Sequence, residues 1–248
     1  MHKRKLKRYL NCHFFSKDSF LAKPKLLDFV QGFQMDAHEF LITLLNQLDA
    51  ALVHEHFVGS INCISCCSNM NCKFESVKQE PFTALTLRFS SLSPCDLKSC
   101  LRVFSEKESL DINSTCSHCG LNTVSERNLC ITSWSNVLVI HLSRFCRLQE
   151  VKKNTKIKHI HIRLDTPISF PLIGLEVGSE LYPIVYDCVA VCNHVGKCTR
   201  GHYTTYALRG EKWFFFNDAK KPVEINCLVK NIGEKNSDAY MLFYERRR

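Results

Sequence analysis

The segment Gly201-His202-Tyr203-Thr204-Thr205-Tyr206 is followed shortly by Trp213-Phe214-Phe215-Phe216-Asn217-Asp218. A histidine opens one aromatic-rich strand, an Asn-Asp pair closes the next, and Gly210-Glu211 forms the turn between them. An imidazole oriented by a neighbouring carboxamide or carboxylate can take a proton from a nucleophile and return it to a leaving group. With a two-residue loop at Gly210-Glu211, Arg209 pairs with Lys212 and His202 lies opposite Ala219. Asn217 is then the diagonal neighbour of His202 on the same face, roughly 7–8 Å away between backbones. A loop one residue longer reverses the parity and brings Asp218 to His202 instead. The spacing leaves both candidates open.

A second chemistry lies in the cysteines. Cys116 and Cys119 are separated by two residues and followed by Gly120, a spacing that lets two thiolates occupy adjacent corners of a tetrahedral zinc site. Upstream, Cys63, Cys66, Cys67 and Cys72 crowd into ten residues and offer either Cys63/Cys66 or Cys67/Cys72 as the second pair. Four such ligands close the site to substrate and contribute on the order of 10 kcal/mol to folding. The total of 15 cysteines is odd, which argues against a complete disulfide framework and for a reducing compartment. Scattered cysteines such as Cys188 and Cys192 read as small buried apolar residues.

The elements that must position these groups change character along the chain. Asp36 caps a helix and Glu39 completes a capping box, after which Phe40, Leu41, Leu44, Leu45, Leu48 and Leu52 recur at helical spacing. The cysteine cluster follows, then an alternating run from Phe82 to Phe89 and a short helix from Cys95 to Phe104. From Ser125 onward strands dominate: Val137 to Leu142, His159 to Leu164, Ile184 to Cys192, His202 to Leu208, Trp213 to Phe216 and Ala239 to Tyr244. Lys152 to Lys156 and Asn226 to Asp238 are polar connections. Helices first, then a cysteine-bearing insertion, then a mostly antiparallel sheet make an α+β arrangement.

Composition narrows the partners. The chain has 248 residues, enough for one large domain, and a hydrophobic fraction of 45% that argues against wholesale disorder. The best apolar run, Val137 to Ile140, stops at His141, so no membrane partner is expected, and no apolar segment follows the basic N-terminus to suggest a secretory signal. The net charge of +9 is carried by the ends: of 33 basic residues, five lie among residues 3–8 and three at 246–248, leaving 25 against 24 acidic. Such terminal charge is read as solvated, and nucleic acid is not expected as a partner.

In order, these pieces resemble the ubiquitin-specific proteases, papain-like cysteine peptidases. The matching segments are Gln34 to Leu41, Phe57-Val58-Gly59, Glu80 to Leu85, Cys116 to Cys119, Val137 to Phe145, Gly201-His202-Tyr203, Trp213 to Asp218 and Ala239 to Tyr244. The resemblance implies a hand-like domain: a helical thumb over about 26–56, fingers with a cysteine knuckle over about 57–136 and an antiparallel β palm over about 137–248. It implies that His202 is the catalytic histidine, Asn217 the residue that orients it and Asp218 its polar neighbour, in favour of the two-residue loop. Asp36 and Tyr203 match positions that meet the extended tail of ubiquitin. Counting from Phe57 and Phe82 favours Cys67, Cys72, Cys116 and Cys119 as ligands of a structural zinc ion, with Cys63 and Cys66 as the alternative first pair. The gap between Cys67 and Cys72 is two residues longer than the family's usual one, and Met35 replaces a usual glutamine.

The family's nucleophile sits in a segment resembling Gly-Asn-Thr-Cys-Tyr/Phe-Met-Asn-Ser, several tens of residues before the helix that Asp36 opens. This sequence contains no such segment, so the thumb is expected to be incomplete and the polypeptide alone inactive. Asn11, Cys12 and Ser16 echo the motif faintly, but Cys12 is too close to Asp36 and is expected to be incidental. In the complete enzyme the resemblance implies hydrolysis after the C-terminal glycine of ubiquitin, by Cys-His-Asn acyl transfer on ubiquitin or ubiquitinated proteins in the nucleus or cytoplasm. The alternatives are a ubiquitin-binding pseudoprotease and a zinc-bearing interaction module.

Overall fold

Asp36 opens the described structure by capping a helix. The computed structural model describes residues 35–72, 74–88, 96–147, 154–156, 168–170, 184–197, 200–225 and 237–247. Asp36 Oδ1 accepts from the amides of His38 and Glu39, at 2.8 and 3.1 Å, and starts α1 (Ala37–Leu45). The apolar periodicity continues to Leu52, but the helix does not. It ends at Asn46, and Asp49 caps a separate helix, α2 (Ala50–Phe57), by accepting from Leu52 N at 3.0 Å. Asn and Asp compete for backbone donors, so these two side chains divide what the hydrophobic pattern alone would join.

Two sheets follow. The smaller has the order β2-β1-β5-β4, built from β1 (Gly59–Cys67), β2 (Glu75–Phe82), β4 (Glu108–Thr115) and β5 (Asn122–Ser133), all pairs antiparallel. The larger has the order β13-β12-β11-β10-β14-β6-β3. Its strands are β3 (Leu85–Leu87), β6 (Val137–Leu142), β10 (Ile184–Lys197), β11 (Arg200–Arg209), β12 (Lys212–Phe216), β13 (Val223–Ile225) and β14 (Ala239–Arg246), with β9 (Ile168–Phe170) added along β10. A separate hairpin pairs β7 (Phe145–Arg147) with β8 (Asn154–Lys156), where the sequence reads as a polar connection.

The sheet is antiparallel as expected for the most part, and the parallel pair lies at one edge, where β3 pairs with β6. A parallel neighbour requires a long crossover, and here the crossover carries α3 (Leu97–Ser105) and strands β4 and β5. The alternating run from Phe82 also divides: β2 ends at Phe82, a bend follows, and β3 spans only Leu85–Leu87. The fold is mixed α+β, dominated by sheet. The strand expected at His159 to Leu164, Cys12 with its flanking residues, Cys95, Phe89 and residues 226–236 lie outside the described residues.

The main core lies on one side of the large sheet. Leu85, Leu87, Leu138, Ile140, Leu142 and Tyr244 pack with Leu97, Cys100 and Leu101, the i, i+3, i+4 stripe of α3. A second, smaller cluster joins Cys192, Tyr240 and Met241 to Ala37 and Leu41 of α1, so α1 rests on the large sheet through its own apolar contacts. Among the described residues no helix is long and apolar enough to cross a membrane.

Candidate functional site

The β11–β12 hairpin has the two-residue loop, with Arg209 opposite Lys212 and Gly210 at φ +67°. That positive φ is what a tight primed turn demands and glycine supplies without steric cost. Pairing ends at Phe216, and Asn217 and Asp218 enter a turn in which Asp218 sits at φ 49°. Strand alternation no longer applies there, so both residues reach the same imidazole. Nε2 of His202 lies 2.8 Å from Asn217 Oδ1, and Nδ1 lies 3.8 Å from Asp218 Oδ2.

The first contact decides the chemistry. A carboxamide oxygen only accepts, so Nε2 carries the proton and donates to Asn217. Nδ1 is left with its lone pair, ready to take a proton from a group arriving on that side. The His202 side chain is about half-exposed (48%), so an incoming chain can reach it.

Tyr203, the next residue of β11, connects this hairpin to α1. The amide of Ala37 donates to Tyr203 Oη at 3.4 Å. Tyr240 Oη donates to Asp36 Oδ2, so one carboxylate oxygen caps α1 and the other binds the sheet. His38 stacks on His141 with centroids 4.1 Å apart and planes 9° from parallel, and His141 meets Tyr240 edge-on at 4.9 Å. Burial, reinforced by the neighbouring His38, pushes His141 down to about 4, and burial also lowers His38. Burial and then the bond to Asp36 raise the Tyr240 hydroxyl well above its ordinary range.

The sequence singled out Asp36 and Tyr203, which lie together here through the contact of Ala37 N with Tyr203 Oη, but gave no role to His38, His141, His194 or Tyr240. The clue for Tyr240 was a hydroxyl at the apolar start of a strand, Ala239-Tyr240-Met241-Leu242, since a buried tyrosine hydroxyl usually finds a partner. Gly201 reflects the same crowding. A Cβ there would lie 1.9 Å from Nε2 of buried His194, so the strand passes only as glycine.

The cysteine cluster is built at the far end of the small sheet. The Sγ atoms of Cys67, Cys72, Cys116 and Cys119 all lie within 4.8 Å of one another. Cys67–Cys119 and Cys72–Cys116 are 3.9 and 3.8 Å apart. A tetrahedron with zinc–sulfur bonds of about 2.3 Å has edges of about 3.8 Å, so the spacing fits a tetrahedral thiophilic cation. The backbone is arranged for thiolates as well. The amide of Cys119, then that of His118, holds Cys116 below the usual thiol range, and the amide of Leu121 does so for Cys119. The Phe74 amide acts in the same direction at Cys72. There, however, burial and the sulfurs of Cys119, Cys116 and Cys67 prevail and push the thiol up to about 12. Four crowded sulfurs cannot all ionise without a cation among them. Cys63 and Cys66 are not in the cluster; Cys63 lies mid-strand opposite Lys78 and Leu129, and Cys66 approaches Glu75 at 3.5 Å.

The sequence matches the family model described as ubiquitin carboxyl-terminal hydrolase over residues 9–244. It is similar to ubiquitin carboxyl-terminal hydrolase 2 of Gallus gallus, 31% identical over 205 residues, covering 78% of this chain and 52% of that protein. It is also similar to ubiquitin carboxyl-terminal hydrolase 46 of Caenorhabditis elegans, 28% identical over 239 residues, covering 87% of this chain and 54% of that protein. Against cyk-3 of the same organism, 32% identical, the chain spans 12% of the relative's length. The fold is similar to the structure of the SAGA Ubp8/Sgf11/Sus1/Sgf73 DUB module bound to ubiquitin aldehyde, with a TM-score of 0.69 and 25% identity. That match covers 87% of this chain and 50% of the matched chain.

Proposed function

The chain belongs to the ubiquitin carboxyl-terminal hydrolase family, of the ubiquitin-specific type, and from that premise we propose that it carries the base and the ubiquitin-gripping surfaces of a deubiquitinase. The observation that carries this reading is the 2.8 Å contact between His202 and Asn217. In an enzyme of this family His202 Nδ1 takes the proton of a cysteine thiol, the resulting thiolate attacks the carbonyl of ubiquitin's terminal glycine, and the imidazolium delivers the proton to the departing amine. Asn217 fixes the tautomer and ring plane and needs no charge to do so. Asp218 is the ring's polar neighbour on the Nδ1 side.

On this reading α1 and α2 belong to the thumb, the small sheet forms the fingers and the large sheet the palm, all within one domain spanning the chain. Asp36 and Tyr203 border the path of the ubiquitin tail. Cys67, Cys72, Cys116 and Cys119 hold a structural zinc ion at the fingertip, which ties the β1–β2 connection to the β4–β5 connection. The substrate is ubiquitin attached to another protein, in the nucleus or cytoplasm.

The nucleophile is not supplied by the described cysteines. Burial pushes Cys188 up to about 12 and Cys192 up to about 11, the reverse of an activated thiol. On that basis we read the described residues as holding ubiquitin without supplying the nucleophile, the behaviour a pseudoprotease would share. Calorimetric titration with ubiquitin, and with ubiquitin lacking its two terminal glycines, tests the reading. Full-length ubiquitin should bind measurably tighter, and Asp36→Ala should remove the difference. Equal affinity for both forms would contradict a tail-binding cleft.

A further inference from the structure

We propose that the exposed rim around His202 is a docking surface for an acidic segment of the protein from which ubiquitin is released. The inference rests on the reading of His202 as the base of a deubiquitinase. It concerns the side of the scissile bond opposite to ubiquitin.

His202 Nδ1 is the atom that returns a proton to the departing lysine amine, so that lysine and its flanking residues must pass beside this ring. What surrounds the ring therefore meets the leaving protein. Val195 lies directly opposite His202 in the β10–β11 register, so their side chains share a face, and Val195 is 54% exposed. An exposed valine there offers an apolar rest for the aliphatic stem of the lysine. Arg200 stands two residues before His202 on β11 and shares the same face, while Gly201, between them, faces His194. Lys197 pairs with Arg200 where the hairpin ends. On the other flank of the ring, the turn after β12 leads into Lys220 and Lys221, and the Lys220 amide donates to Asn217 O at 3.1 Å.

The charge of this rim is not matched within the protein. Elsewhere on the two sheets, Lys78 pairs with Glu80, Arg127 with Glu108, Lys212 with Glu224 and Arg247 with Asp187. Lys197, Arg200, Lys220 and Lys221 are all exposed, and none takes part in an ion pair with another described residue. The described carboxylate beside the ring is that of Asp218, 3.8 Å from Nδ1. Asp36 is engaged by the α1 cap and by Tyr240. Apart from its ends the chain is nearly balanced in charge, so four cations about one carboxylate are a local excess and not a share of general basicity. Acidic residues within a few positions of the modified lysine are attracted to such a rim, and a basic flank is repelled. Because the rim is exposed, the attraction is screened by salt.

The test uses the full chain and ubiquitin joined through its terminal glycine to the lysine of a short peptide, by a linkage that cannot be hydrolysed. Three peptides are compared, with glutamate, glutamine or arginine on both sides of the lysine, alongside free ubiquitin. The glutamate conjugate should bind about fivefold tighter than the glutamine one at low salt, as a few exposed ion pairs allow, and the arginine conjugate should bind weakest. The spread should collapse at high salt. Lys197→Glu combined with Arg200→Glu should reverse the order while leaving the affinity for free ubiquitin unchanged. Lys220→Gln combined with Lys221→Gln should narrow the order without reversing it. Equal affinity for the three conjugates, in a chain that binds free ubiquitin, overturns the proposal and leaves the deubiquitinase reading intact. A preference for the arginine conjugate, or an order that survives the charge reversal, also overturns it. If neither free ubiquitin nor any conjugate binds, the deubiquitinase reading itself fails, and the docking surface with it.

Discussion

Tyr240 donates its hydroxyl to Asp36, 204 residues earlier in the chain, and so fastens the N-terminus of α1 to the large sheet. The same carboxylate caps the helix through its other oxygen, which makes the helix start and the helix position one property. Tyr240→Phe keeps the packing and removes the bond. It is expected to cost about 1.5–3 kcal/mol, the worth of a hydrogen bond to a charged group. Hydrogen exchange at the amides of His38 and Glu39 should accelerate together with the loss of stability; unchanged protection would show that the cap alone orders the helix.

The stacked pair His38–His141 predicts a pH dependence. Burial lowers His141 from 6.5 to about 4, so the unfolded chain binds a proton there that the folded chain refuses. Stability from this residue is full above pH 6.5, falls as the pH drops through that window and is lost by about pH 4, amounting to about 3 kcal/mol. His38 is shifted in the same direction and adds to the slope. Urea unfolding from pH 7.5 to 4.5 should show the decline, and His141→Phe, which preserves the stacking, should flatten it.

Gly201→Ala should destabilise the His202 strand. The added methyl meets the buried ring of His194, which has no room to withdraw, and overpacking of this kind costs about 2 kcal/mol. The melting temperature should fall, and the ring signals of His194 and Tyr203, 4.7 Å apart, should shift together.

Metal removal should act on the fingers before the palm. Elemental analysis of the purified chain is expected to give one zinc per chain, and a chelator should expose the amides of the β4–β5 hairpin. Cys116→Ser should abolish retention of the metal, and Cys63→Ser should not, because Cys63 lies outside the sulfur cluster. Equal loss in both variants would contradict the assignment.

Much of this arrangement was legible in the sequence because its signals are local. Asp36 as a cap, the Cys116–Cys119 knuckle and the glycine-bearing turn at Gly210 each depend on residues a few positions apart. The choice between Asn217 and Asp218 was harder, since strand parity governs only as far as Phe216. The left-handed turn at Asp218 then brings both residues to His202, an outcome that alternation does not predict. The break between α1 and α2 escaped the periodicity because Asn46 and Asp49 act through capping, not hydrophobicity. The parallel strand β3 and the partners of Tyr240 depend on contacts from distant parts of the chain, which no local spacing encodes.

The measurement that tests the central claim most directly is reaction of the purified chain with ubiquitin carrying a thiol-trapping group at its C-terminus, read by intact mass alongside a binding isotherm. Reversible binding without a covalent adduct is the expected result, with affinity reduced by Asp36→Ala. An adduct at Cys12 that is lost in Cys12→Ala would contradict the account, because the chain would then hold its own nucleophile. Absence of any binding would contradict it from the other side, by removing ubiquitin as the ligand of the surface that carries His202 and Asp36.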